Sequence, residues 1–218
     1  MGGGGTILGG RPSWEAEDEV KAMQRQCAEA AEKDRGGWGP IADRVIQSRS
    51  GGAVERCHGI PHQGSYSNAA HSWGVAMLMW YLWPDDFPRL AAYCLSHDVP
   101  EAWVGDSPAP VGRYVPGFKN EVGKLETRIN YSLGLPAEHD LDELDFAKLK
   151  ACDRLEFWLW SKEQLLRGNL YAQEGLTEIE RYFDEVPLPP RGQALLDALK
   201  ARENLLPRQS GVIKELCE

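Results

Sequence analysis

The sequence predicts an all-α fold, because apolar residues recur at helical spacing, strand-like alternation is scarce, and prolines and glycines stand where helices start and stop. Residues 1–12 are too rich in glycine to order themselves and read as a flexible tail. Ser13 then opens a charged stretch with Glu15, Glu17 and Asp18 early, Arg35 late and Gly36-Gly37 as a stop. In this arm, 13–37, Val20, Met23 and Cys27 form only a narrow apolar stripe, which suits a surface helix or an oligomerisation arm. A short helix follows in PIADRVIQSR, started by Pro40 and ended by Gly51-Gly52.

After an irregular polar connection, ERCHGIPHQGSYSNA, the run AHSWGVAMLMWYLW is apolar around nearly its whole circumference and is expected at the centre of the molecule. The Pro84–Pro88 turn leads into RLAAYCLSHD, so these two helices are expected to pack as an antiparallel pair. VPEAWVGDSPAPVGRYVPGF reads as a loop with one helical turn, and NEVGKLETRINYSL as a helix ending at Gly134. A long helix is predicted in AEHDLDELDFAKLKACDRLEFWLWSKEQLL, where Phe146, Leu149, Cys152 and Leu155 trace an apolar face. TEIERYFDEV and PPRGQALLDALKAREN close the fold. The globular body is one domain, 38–206, followed by a polar tail, 207–218.

Composition narrows the function classes. The 218 residues, 42% hydrophobic and 26% charged, suffice for one domain with a sizeable core. A net charge of −9 argues against nucleic acid as a partner, since phosphate backbones are held by clustered Lys and Arg. No run approaches the roughly 18 apolar residues of a membrane span, and the start lacks the pattern of a secretion signal. Cys27, Cys57, Cys94, Cys152 and Cys217 are odd in number and unpaired in spacing, and read as reduced thiols. A cytoplasmic protein is expected.

The chemistry is signalled by His97-Asp98, side by side at the end of an apolar run. Alone such a dipeptide is usually a capping or surface pair. Its setting differs here: His71 opens the first core helix, His97-Asp98 close the second, and antiparallel packing brings them to one end. Asp153 adjoins the apolar face of the long helix and so needs a partner. Imidazole and carboxylate together suit a first-row divalent metal.

His71, then His97-Asp98, then Asp153, carried on core helices, resembles the HD-domain metal-dependent phosphohydrolases. HDVPEAWVGDSPAPV is similar to the corresponding stretch in bacterial 5'-deoxynucleotidases and phage deoxynucleoside triphosphohydrolases, and the likeness covers roughly residues 40–170. It implies an HD-domain helical bundle with a metal site between core helices. His71, His97, Asp98 and Asp153 would be ligands to one divalent ion, Mn, Co, Mg, Fe or Zn. Glu101 and Asp106 match acidic positions that place or activate the attacking water, and Arg56 the substrate-phosphate arginine. Lys150, one turn before Asp153, joins them as a substrate-binding candidate. The implied substrate is a small nucleotide, and related enzymes form homo-oligomers.

Two departures put sugar discrimination and the support of the first ligand histidine in doubt. Cys57, assigned to the substrate side, stands where the family often has a tryptophan linked to rejecting ribose. Ala70 replaces the usual glutamate before the first ligand histidine. Between Asp98 and Asp153 only His139 occurs, which favours one metal over two. GDSP is also an ordinary turn signal, and Glu101 an ordinary acid of a first helical turn. His58 and His62, in the irregular loop, read as solvent-facing or structural. Two activities remain open, dNMP to deoxynucleoside plus phosphate and dNTP, dATP among them, to deoxynucleoside plus triphosphate. The short ligand intervals favour the second. The rival reading is a catalytically silent HD nucleotide-binding or regulatory module.

Overall fold

A computed structural model of the chain describes residues 25, 29, 38–107, 111–202 and 205, except the side chains of 38, 112 and 113. The tail 1–12, nearly all of the arm 13–37 and the tail 207–218 lie outside them. The described residues form nine α-helices and no strand: α1 (Trp38–Gly52), α2 (Asn68–Leu82), α3 (Phe87–Ser96), α4 (Glu101–Val104), α5 (Val111–Tyr114), α6 (Phe118–Ser132), α7 (Glu143–Leu166), α8 (Ala172–Glu185) and α9 (Pro190–Lys200). None of these helices is long and apolar enough to cross a membrane.

Within the described residues the helices predicted from Pro40 onward are present, with shifts at their ends, and the loop after Asp98 holds two helical turns where one was expected. The Gly51-Gly52 stop lies inside α1, and Gly51 has a reason to be there. A Cβ on it would fall 2.6 Å from Val99 Cα, so the bare backbone lets α1 approach the turn after Asp98. The long helix starts at Glu143, later than the periodicity suggested, because Asp142 caps it by accepting the Asp145 N–H at 2.8 Å. Ser67 caps α2 in the same way, accepting the Ala70 N–H.

α2 packs along both α3 and α7, and α8 along α7. Val75 and Met79 of α2, Leu90 and Cys94 of α3, and Leu149, Cys152, Leu155 and Trp158 of α7 are fully buried in one core with Leu176 and Leu196. The expectation that α2 is wholly central needs correction. Trp73, Trp80 and Tyr81 are 65%, 49% and 74% exposed, because α3 and α7 cover only part of its circumference.

The polar connection between α1 and α2 is held by specific bonds. An isolated bridge joins Glu55 and Ser67, and the Glu55 carboxylate accepts from the Ser65 hydroxyl and the Tyr66 N–H. At the loop's tip, Gln164 accepts the Gln63 N–H at 2.9 Å and donates to the Gln63 carbonyl at 3.0 Å, while Asn169 donates to the Pro61 carbonyl. The end of α7 thus anchors the loop that carries Arg56.

Across the molecule, Asp145 lies between Arg89 and Lys148, with Asp86 accepting from both cations, so ion pairs tie the start of α3 to α7. The Arg89 hydrogen bond holds the Asp145 carboxyl below its usual value, aided by Lys148 and opposed by burial. A depressed carboxylate stabilises the fold fully above its unfolded value of about 3.9 and loses that contribution as pH falls through the folded value. Asp145→Asn is expected to cost about 1–2 kcal/mol at neutral pH, reduced by the solvent around Arg89. Urea unfolding at pH 7 and pH 3 should show the two proteins converging in acid; an acid-independent gap would contradict this.

Candidate metal centre

Three helices deliver the site. His71 lies one turn into α2, His97 is the residue after α3, and Asp153 is midway along α7. The last helical bond of α3 runs from the His97 N–H to the Tyr93 carbonyl, and Pro100, two residues after Asp98, precedes α4 beside the site. Single ligand atoms of His71, His97 and Asp153 lie within 4.8 Å of one another. The two imidazole Nε2 atoms are 3.3 Å apart. Asp153 Oδ1 lies 3.1 Å from His71 Nε2, and Asp98 Oδ2 lies 3.2 Å and 3.5 Å from Nε2 of His97 and His71. All four predicted ligands therefore converge, with His71 fully buried.

Asp98 also pairs with Arg56 through Nη1, the contact that brings the substrate-arginine candidate to the centre. Arg56 Nη1 is 3.2 Å from Asn68 Oδ1 and 3.9 Å from Glu101 Oε2, while its buried Nε has no protein partner. Glu101 accepts from Asn68 Nδ2 at 2.8 Å. Cys57 is partly buried and takes a left-handed conformation (φ 54°), with its N–H donated to Asp106 Oδ2 at 2.8 Å. Asp106 thus braces the backbone next to Arg56, with exposed His58 3.6 Å away. Lys150 bonds Glu138 and lies 3.8 Å from Asp153 Oδ2. It also lines a cavity of about 300 Å³ with Phe146, Arg154 and Tyr182. His62 bonds the Ile60 carbonyl and packs edge-on to Trp160.

Acidic charge exceeds what the nearby cations neutralise. Burial and the Asp98 charge push Glu101 up to about 8, although Arg56 and the Asn68 bond oppose them. Burial and the charges of Asp98 and Glu138 push Glu126 up to about 7. Burial alone would lower His71, but its bonds to Asp153 and Glu156 raise it to about 9, the Asp153 bond spanning the space between His71 Nε2 and that carboxylate. A divalent cation at the same place would meet two imidazole nitrogens and two carboxylates, a donor set that suits it in type and charge.

Three residues at the site escaped the sequence reading. Asn68, 2% exposed, bonds Arg56, Glu101 and the Asp98 carbonyl; its signal was its place one turn before His71. Glu126 lies on α6 between Val122 and Ile129 on one face, an acid amid apolar neighbours. Glu156 contacts His71 Nδ1 and sits three residues after Asp153, on the same side of α7. Ala70, whose missing carboxylate raised doubt about support for His71, is solvent-exposed.

No protein-family model matches the sequence, and no curated protein matches it significantly. Solved structures do. The PH0347 protein of Pyrococcus horikoshii is 19% identical with a TM-score of 0.58, covering 76% of this chain and 99% of its own. The cyanophage S-2L HD phosphohydrolase DatZ, solved with dA and one catalytic Zn²⁺, is 18% identical with a TM-score of 0.51, covering 68% of this chain and 89% of its own. The chain has the all-α fold of the HD-domain phosphohydrolases.

Proposed function

We propose that the protein is a metal-dependent phosphohydrolase acting on nucleotide phosphate esters, with deoxynucleotides as its preferred class. The observation that carries this reading is the meeting of His71, His97 and Asp153, with Asp98 beside both imidazoles and a part-buried arginine paired to it. His71 and His97 would hold the ion through Nε2, and Asp98 and Asp153 through their carboxylates. When bound, a divalent ion polarises a phosphoryl oxygen and makes water more acidic.

The chain's own groups do the rest. Arg56, with Nη1 on Asp98 and Nε unpartnered, offers part of its fork to a phosphate oxygen. Lys150 adds positive charge on the Asp153 side. Glu101, which accepts a bond from Asn68, would take the proton from the water as its oxygen bonds phosphorus and the ester oxygen leaves. Asp106 holds Cys57, and through the backbone Arg56, in register. Release of phosphate from a dNMP, or of triphosphate from a dNTP, follows from the same chemistry and depends on how much phosphate the site admits. The dA bound by the cyanophage enzyme supports a purine deoxynucleotide as the first substrate to try.

Incubation with Mn²⁺ or Co²⁺ and a panel of dNMPs, NMPs and dNTPs, with products separated by chromatography, tests this. Phosphate or triphosphate release is expected; its absence across the panel would favour a silent nucleotide-binding module. Glu101→Gln should retain metal and lose about 10²–10⁴-fold in turnover. Normal turnover in that variant would remove Glu101 from the mechanism.

A further inference from the structure

We propose that Glu156 is the carboxylate that orients His71 for metal binding, and that Gly74 and Tyr66 seat it there. The inference rests on the metal-centre reading and adds a positioning group to it. Both imidazoles have their remote nitrogen engaged: His97 Nδ1 lies 3.1 Å from the Cys94 carbonyl, and His71 Nδ1 lies 2.5 Å from Glu156 Oε2. With the hydrogen on each Nδ1, each Nε2 presents its lone pair to the centre. A carboxylate beyond Nδ1 also makes the imidazole a stronger donor than a carbonyl does. This gives His71, the fully buried ligand, the stronger anchor of the two.

Glu156 is itself held. The Tyr66 hydroxyl donates to the same Oε2 at 2.5 Å, so one oxygen accepts from both Tyr66 and His71. Tyr66 is 3% exposed and stacks on Trp160, with ring centroids 4.4 Å apart and planes 13° from parallel. Trp160 follows Glu156 by four residues, so one face of α7 carries both the carboxylate and the platform for its partner.

Gly74 supplies an independent observation. It stands inside α2, where glycine costs about 1 kcal/mol relative to alanine. A Cβ there would fall 2.5 Å from Glu156 Cγ and 3.1 Å from Oε1. The glycine opens the passage through which Glu156 reaches His71, one turn earlier on α2. Asp153, Glu156 and Trp160 thus meet His71, Gly74 and Tyr66 as an interlocking set.

The test uses Co²⁺ titration followed by its visible absorption, with the His71 Nδ1–H proton resonance as a second readout. Glu156→Ala should weaken Co²⁺ binding about 10–100-fold and abolish the downfield Nδ1–H signal. Glu156→Gln, which keeps an acceptor oxygen, should lie between the two. Gly74→Ala should weaken binding in the wild-type background and add nothing to Glu156→Ala, a non-additivity that simple helix damage would not produce. Circular dichroism confirms that each variant is folded. Unchanged Co²⁺ affinity and an unchanged Nδ1–H signal in Glu156→Ala would overturn the proposal. Failure of the wild-type protein to bind Co²⁺ would instead overturn the metal-centre reading, and the Nδ1–H signal would then still decide whether Glu156 orients His71.

Discussion

Asp153→Ala is expected to leave a folded protein that no longer retains a divalent metal and whose phosphate release falls on the order of a thousandfold or more, about 4 kcal/mol of transition-state stabilisation. Asp153 is the carboxylate that α7 brings to the centre, 3.1 Å from His71 Nε2. Its removal leaves Asp98, which is already paired with Arg56, to supply the remaining negative charge. The His71 bond and the Lys150 charge hold the Asp153 carboxyl well below the ordinary carboxylate range, against the effect of burial, so it is present as an anion wherever the enzyme would work. Elemental analysis after dialysis gives the metal content, and product chromatography the rate. Full metal retention with intact turnover would remove Asp153 from the centre.

Trp158→Ala should produce the largest loss of stability among single side-chain truncations, about 3–5 kcal/mol in urea unfolding at neutral pH. The indole is wholly buried in the core, and its N–H is donated to Glu180 of α8 at 3.0 Å. Truncation removes its dispersion contacts and leaves a void that rigid neighbouring helices fill only in part. A loss below about 1 kcal/mol would show that this side of α7 repacks freely. Because the same helix carries Asp153 and Glu156, metal affinity measured on the variant reports whether the helix holds its place when its core anchor is gone.

The helices and the convergence of the four ligand candidates were legible because both depend on local pattern. His71 and His97-Asp98 stand at the ends of two apolar runs joined by a short turn, and antiparallel packing follows from connectivity. Asp153 was visible as an acid beside a core face. Glu156 was not, since a glutamate on a long charged helix is ordinarily solvated, and only the approach of Gly74 turns it inward. Glu126 was hidden for the related reason that nothing in α6 tells which helix faces it. The exposure of Trp73, Trp80 and Tyr81 also escaped, because an apolar circumference does not say how many neighbours cover it. Arg56 was assigned by resemblance, and its contact with Asp98 depends on a loop fold that no periodicity describes.

That loop has an uneven sensitivity to change. Both short bonds between Gln63 and Gln164 use the backbone of residue 63 and the side chain of residue 164, and Asn169 likewise reaches a backbone carbonyl at Pro61. Identity is therefore demanded at the helix end and barely at the loop tip. At positions 61 and 63 a change of side chain leaves these backbone bonds in place, and two distant amides keep the path of the tip, whereas Glu55, Ser65 and Tyr66 hold the base of the same loop through their side chains.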